Sequence, residues 1–303
     1  MEEILISLEE FLRLPTEEVA KLVRASGSRV VVFPINGTRR WFALEYGSES
    51  FDDPIKAYTD IASQYHIALY RLFFDYGIDT LITPAFGPDL LLRGDEYVRR
   101  IGAGGLARLA EHSAFLDFYD EYDVRVHFYG DHRRFLHGTE FSYLSDMFDA
   151  ASERTSNHKR FRLFFGIFGN DATNAVAEYS VQYFQQHNRI PEKRELIKMY
   201  YGEYIDSVSL FIGFDRFSVF DMPLIATGEE DLYFTISPSL YMSASQLRRI
   251  LYDHLYTRRA PDPEYSNMSR EGLQELRNFY IQSREYTLGT GELLHGIWTP
   301  SLK

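Results

Sequence analysis

Apolar runs rich in β-branched and aromatic residues alternate with helix-patterned stretches along nearly the whole chain, and the runs stop at or near Gly or Pro. Few folds accept this pattern. Strands separated by helices pair in parallel, and the resulting sheet needs helices on both faces. The predicted strands are 29–34, 80–84, 124–129, 162–168, 208–212 and 232–236. A capping box, Ser7-Leu8-Glu9-Glu10, opens a short helix to about Leu14, and Thr16 caps a second helix that Gly27 ends. Residues 53–76 read as a long helix with Ile61, Tyr65, Ala68, Leu69 and Leu72 on its apolar face and Gly77 as its stop. Further helices are expected over 106–122, 172–187, 243–256 and 269–284, with another opened by Pro191. The expected fold is α/β, a largely parallel central sheet flanked by helices on both faces. Residues 1–303 form one domain in this reading, with a helical N-terminal extension and a helical C-terminal closure. Strand ends at Asn36-Gly37, Pro84, Gly130-Asp131 and Gly169-Asn170-Asp171 would lie along one sheet edge, where such folds bind ligands.

Bulk chemistry narrows the partners. A net charge of −12 disfavours broad binding to nucleic acid or acidic membrane, so any anion site must be a local basic pocket. With no cysteine there is no disulfide framework, thiolate nucleophile or Cys-ligated zinc. Met1-Glu2-Glu3 opens no signal sequence, and no apolar run approaches about 18 residues. A cytoplasmic protein without stable membrane insertion is expected. The 24 Phe and 22 Tyr suit either an aromatic core rimmed by Tyr or a pocket for a large apolar ligand of cationic character.

The first strand runs through Ile35-Asn36-Gly37-Thr38 into Arg39-Arg40-Trp41-Phe42. Backbone N–H groups at a strand-to-loop junction, with two guanidiniums beside them, suit an anion with several oxygens such as a diphosphate. An ordinary turn with two surface arginines has the same letters. Arg216 and Ser218, two apart after another strand, would point the same way from an extended segment and bind one phosphate. Asp171 reads as an N-cap, Asp52-Asp53 as a helix start that complements the dipole, and His254 as a satisfied helix residue. No nucleophile elbow, Walker loop or H-E-x-x-H motif is present.

In order and content these segments resemble the cis-prenyltransferases, the undecaprenyl diphosphate synthase family. Residues Ile35 to Phe42 are similar to that family's Met-Asp-Gly-Asn-Gly-Arg-Trp-Ala, and Val124 to Asp131 to a later strand. Arg216 to Phe220 resembles its Arg-x-Ser-x-Phe, and Asp231 to Thr235 its acidic-Leu-Tyr-Phe-Thr. The likeness is closer to a divergent diterpene-synthase branch, that of the tuberculosinyl adenosine/tuberculosinol synthases and kolavelool synthase. It rests on residues 33–42, Phe165–Ala172, Tyr200–Tyr204, Phe211–Asp221, Leu247–His254 and Gly296–Trp298, and covers nearly the whole chain.

The resemblance implies the cis-prenyltransferase fold and Mg²⁺-assisted ionisation of a bicyclic C20 allylic diphosphate. Kolavenyl diphosphate captured by water to give kolavelool is the first expectation. A tuberculosinyl substrate giving tuberculosinol or an adenosine adduct is the second, and a non-catalytic scaffold that only holds a prenyl diphosphate the third. Gly37, Thr38, Arg39, Arg40, Arg216 and Ser218 would bind the diphosphate, Arg39 and Arg40 also stabilising the leaving charge. Tyr58 corresponds to the family's functional tyrosine and would orient the nucleophile. Two departures stand out. Asn36 occupies the family's metal-holding Asp position, where an amide is the poorer ligand for a hard cation, and Asp231 is a further candidate ligand. Leu210-Phe211-Ile212-Gly213 lacks the arginine that holds a second diphosphate in elongating enzymes, which argues against chain elongation. A homodimer is implied, with an apolar patch around Phe211, Phe217 and Phe220 at its interface.

Overall fold

The computed structural model describes residues 6–27, 29–87, 92–169 and 172–301. Six strands, β1 (Val30–Val32), β2 (Thr80–Phe86), β3 (Val124–Tyr129), β4 (Phe161–Ile167), β5 (Leu210–Phe214) and β6 (Asp231–Thr235), form one sheet in the order β3-β4-β2-β1-β5-β6. Every pairing in it is parallel. Alternate residues of one strand serve opposite cores. Val31 and Leu81 pack into the larger cluster, while Val30, Val32 and Ile82 pack into the smaller one.

The larger core lies under α1 (Leu8–Arg13), α2 (Thr16–Ala25), α4 (Pro54–Asp75), α6 (Gly104–Glu111), α7 (Ser113–Glu121), α9 (Tyr143–Arg154) and α12 (Ala244–Tyr252). The smaller lies under α10 (Thr173–His187) and α11 (Lys193–Tyr201). The predicted two-faced parallel sheet is therefore present. Between these elements sit α3 (Thr38–Tyr46), α5 (Asp95–Tyr97) continued by a π-helical turn, and α8 (His132–Leu136). The chain closes with α13 (Arg270–Ser283) and a hairpin of β7 (Gly291–Leu294) and β8 (Ile297–Pro300).

Several local expectations are corrected. Ser7 caps α1 with its reciprocal Glu10 bond, but Pro15 is the N-cap of α2 and Thr16 its first helical residue. The stretch 106–122 is two helices, because His112 turns to ψ 130° and its ring accepts from the Ala114 N–H. Glu192 caps α11 with a reciprocal bond to Glu195, so Pro191 lies just outside it. The inward face of α4 is wider than the predicted one: Leu69 is buried and Ile61 and Leu72 pack against the core as expected, Ala62, Ser63, Ile67, Tyr70, Phe73 and Phe74 are buried as well, and Tyr65 and Ala68 are exposed. A purely apolar stripe misses this because Ser63 and Tyr70 turn inward. Asp171, expected as an N-cap, lies outside the described residues.

Candidate active site

A cavity of about 640 Å³ opens at the C-terminal ends of β1, β2 and β5 and runs inward between the sheet and helices α4 and α6. At its mouth Gly37 adopts φ 75°, and a Cβ there would come within 2.6 Å of the Phe214 ring. Glycine alone lets the β1 loop close against β5 in this conformation. The helix α3 starts at once, where the sequence pattern showed only a turn. Its first N–H groups lack carbonyl partners within the helix, and that first turn lines the cavity. Asn36 fixes the loop through its main chain, donating to Ser239 Oγ at 3.0 Å and accepting from the Ser239 N–H at 3.1 Å.

The predicted binding residues converge here. Asn36, Gly37, Thr38, Arg39, Arg40, Tyr58, Arg216 and Ser218 all line the one cavity. Arg39 lies over the Tyr97 ring at 4.9 Å. Arg40 stacks on Phe214 at 5.3 Å and pairs with Asp215 at 3.2 Å. The Tyr58 hydroxyl shares a 2.7 Å hydrogen bond with Thr38 Oγ1, and burial raises its phenol above the usual value. Arg216 and Ser218 reach the cavity from a tight turn, not an extended segment, because the Ser218 N–H donates to the Arg216 carbonyl at 2.8 Å.

Asp215 is the group that sequence reasoning missed. It lines the cavity with φ 68°, and its Oδ1 is buried without a hydrogen-bond partner. Its only sequence signal was a carboxylate directly before Arg216. The loop carrying these residues is tied down by Asp221, which accepts from the Tyr129 hydroxyl at 2.8 Å. Cβ atoms at Gly166 and Gly169 would collide with the Asp221 carboxylate. Burial pushes the Asp221 carboxyl up to about 6, against the Tyr129 hydrogen bond.

Other candidates lie elsewhere. Asp231, considered as a metal ligand, sits at the opposite, N-terminal end of β6, where His254 (2.5 Å) and Arg259 (2.9 Å) hold its carboxylate. The same contact makes His254 a buried partner away from the cavity. Asp53 caps α4 through the Ile55 and Lys56 N–H groups. Phe211 is fully buried and cannot belong to a surface patch, whereas Phe217 and Phe220 are exposed. Among the described residues no cluster of three or more His, Asp or Glu side chains is arranged around a metal position.

Behind the polar mouth the cavity is walled by Tyr70, Phe86, Leu106, Leu109, Phe115 and Phe165. A cationic, N–H-rich mouth on an aromatic chamber can hold a polyoxygenated anion at one end and a hydrocarbon at the other.

Over 296 residues the chain is 45% identical to tuberculosinyl adenosine transferase of Mycobacterium tuberculosis (strain CDC 1551 / Oshkosh), covering 97% of this chain and 98% of the relative. This chain belongs to the tuberculosinyl adenosine transferase family. A more distant relative is (+)-kolavelool synthase of Herpetosiphon aurantiacus, 24% identical over 299 residues, 97% of this chain and 95% of the synthase. No protein-family model matches the sequence. Among solved structures, lavandulyl diphosphate synthase from Lavandula x intermedia in complex with dimethylallyl diphosphate superposes with a TM-score of 0.55 at 15% identity, over 77% of this chain and 97% of that one. A probable undecaprenyl diphosphate synthase from Campylobacter jejuni gives 0.55 at 13%, over 79% and 99%. The fold of this transferase family member is thus that of the cis-prenyltransferases. No helix among its described residues is long and apolar enough to cross a membrane.

Proposed function

We propose that the protein transfers a bicyclic diterpenyl group from its allylic diphosphate to adenosine. The observation that carries this is the single cavity joining the Arg39, Arg40 and Arg216 mouth to an aromatic chamber. The 45% relative favours the nucleoside acceptor over water, so capture by water to give an alcohol such as kolavelool, supported by the 24% relative, becomes the second reading.

In the reaction the allylic C–O bond breaks and diphosphate leaves with the electron pair. Arg39, Arg40, Arg216 and the N–H groups of the first turn of α3 stabilise the charge that develops on the leaving oxygen. The aromatic faces of the chamber accommodate the allylic cation without bonding to it. A ring-nitrogen lone pair of the base then forms the new C–N bond. Tyr58, neutral and tied to Thr38, lines the cavity beside the mouth and can orient the acceptor. The Asp215 carboxylate, whose Oδ1 has no partner, and more weakly the Asn36 amide would hold a hard cation at the mouth. Mg²⁺ held there would neutralise diphosphate charge.

Incubation with C20 diphosphates, Mg²⁺ and adenosine, followed by product mass measurement, tests the assignment. An adenosine adduct is expected. Alcohol alone in the presence of adenosine would establish the water reading, and no diphosphate release would leave only a binding scaffold. Asn36→Asp should raise turnover and steepen its Mg²⁺ dependence; equal or lower rates across a Mg²⁺ titration would point to other ligands. A homodimer is part of this reading, supported by the exposed apolar residues Leu232 of edge strand β6, Ile236 just beyond it, and Phe279, Tyr280 and Ile281 of α13. A sedimenting species of 35.4 kDa at micromolar concentration would contradict it.

A further inference from the structure

The loop that forms the mouth follows the first strand, yet it is held from beyond the last strand of the sheet. After β6 the chain turns through Ser237-Pro238 into one short helical turn, Ser239–Tyr241. Thr235 Oγ1 donates to the Ser237 carbonyl at 2.9 Å, which ties the start of this segment to β6. Pro238 lies close to the mouth, since a Cβ on Gly37 would sit 3.0 Å from Pro238 Cβ. Ser239 then makes three hydrogen bonds to residues 203 and 205 positions away. Its Oγ accepts from the Asn36 N–H at 3.0 Å and donates to the Pro34 carbonyl at 3.3 Å. Its own N–H donates to the Asn36 carbonyl at 3.1 Å.

The three bonded groups belong to three successive peptide units, 34–35, 35–36 and 36–37. Each unit is planar, so fixing one of its polar atoms fixes the other. The units are trans, in which N–H and C=O point opposite ways. The Asn36 carbonyl points at Ser239, so the Gly37 N–H points away from it. That N–H donates to no described residue. Gly37 lines the cavity, whereas Ser239 is fully buried and does not. Because α3 begins at the next residue, the same three planes set the direction in which its first turn, with Arg39 and Arg40, leaves the loop.

We propose that Ser239 is a positioning residue for the anion mouth, its bonds aiming the Gly37 N–H and the first turn of α3 at the leaving diphosphate. This rests on the reading of the mouth as the diphosphate site. Donors fixed before the reaction stabilise developing charge without having to reorganise. Without the hydroxyl, the Asn36 N–H and the Pro34 carbonyl lose their partner, and buried backbone groups left that way turn to find another. The bond from the Ser239 N–H to Asn36 survives in Ser239→Ala, so the loop loosens and the fold remains.

Calorimetry with inorganic diphosphate on the full chain tests this, beside melting curves. Ser239→Ala should bind about tenfold more weakly than the parent. Ser239→Cys, close in size but a weaker hydrogen-bonding group, should fall between the two. Asp231→Asn, at the far end of the sheet, controls for lost stability: it should melt lower and bind like the parent. Parent affinity in Ser239→Ala would overturn the proposal. So would an equal loss in Asp231→Asn, which would make the effect one of general stability. If Ser239→Ala does not fold, Ser239→Cys decides: weaker binding by the folded protein supports the role, and parent affinity overturns it. A parent that binds no diphosphate removes the mouth as an anion site and the proposal with it, whereas a binding parent with unaffected Ser239 variants removes the proposal alone.

Discussion

The two ends of the parallel sheet are both rich in charge, and they use it in opposite ways. At the N-terminal end the charges face one another. Arg29 pairs with Asp79 at 2.7 Å, and Asp231 with His254 and Arg259. Glu203 sits among Arg125, His127 and Arg162 at 3.1 to 3.3 Å, and although burial works against it, these partners hold its carboxyl below the usual range. At the C-terminal end Arg39 and Arg216 have no ion pair among the described residues, and Asp215 and Asp221 each keep one unpartnered oxygen. Near that edge Phe168, Asp215 and Asp221 adopt left-handed φ between 57° and 68°, as Asp123 (φ 55°) does just before β3 at the other end. Non-glycine residues held there cost of order 1–3 kcal/mol each and persist only where surrounding structure fixes them. Charge spent on itself serves the fold; charge left open on a strained loop is available to a ligand.

The largest effect should come from breaking the paired end. Asp231→Asn should lower stability by about 3 kcal/mol, the low end for a broken buried ion pair, because Arg259 can turn toward solvent. Denaturant unfolding would show the loss while calorimetry shows unchanged diphosphate affinity. A fall in diphosphate affinity at full stability would mean that the two ends do not divide in this way. The reciprocal result is expected at the open end. Arg40→Ala, and to a lesser degree the more exposed Arg39→Ala, should weaken inorganic diphosphate binding by about tenfold to a hundredfold with little change in stability. Unchanged affinity in both variants would remove the mouth as an anion site.

The same contrast explains what could be read from the sequence. The sheet was legible because each strand is a compact apolar run with a turn residue after it, and the mouth because Gly37, Arg39, Arg40, Arg216 and Ser218 are unusual at strand ends. Asp215 was not, since its role depends on a left-handed backbone that turns it toward Arg40. His66 and Ser63 were hidden for another reason: a helix that walls a cavity turns polar groups inward, so the apolar-face rule found Ile61, Leu69 and Leu72 but not the polar groups beside them. Asp231 shows the converse error. A motif position suggested a ligand, but β6 places it at the far end of the sheet from the loops that bind.

Strain at the open end should also be visible as a pH effect. Burial pushes the Asp221 carboxyl up to about 6 in the fold, against an ordinary aspartate value of 3.8. The folded protein therefore binds this proton more tightly than the unfolded chain. Its contribution to stability is fully present below about 4 and is lost as pH rises through about 6. Asn at this position still accepts from Tyr129 but carries no charge to desolvate. Asp221→Asn should accordingly be more stable than the parent at pH 8, by about 1–3 kcal/mol, and nearly equal to it at pH 4. Parallel urea-denaturation curves at the two pH values would show that this carboxylate is not strained by burial.

The smallest change sharpens the boundary between mouth and chamber. Tyr58→Phe removes one hydroxyl and leaves the ring packed against Phe42, 5.4 Å away. Because burial raises the phenol, the hydroxyl stays protonated through the neutral range and acts as a donor and orienting group, not as a base. Its loss frees Thr38 Oγ1, whose own bond to it is 2.7 Å. Thr38 can then turn to the diphosphate or to water, so binding should change by no more than about 1 kcal/mol. Acceptor positioning should suffer more than ionisation. Diphosphate release should persist, while adduct or alcohol falls and elimination products rise. Product analysis beside a diphosphate-release assay separates the two steps. A normal product ratio in Tyr58→Phe would assign the residue to packing alone, and Tyr58→Ala should then lose stability without a selective change in product. If release itself collapses in Tyr58→Phe, the hydroxyl belongs with Arg39 and Arg40 at the leaving group, and the line between mouth and chamber moves one helical turn deeper along α4.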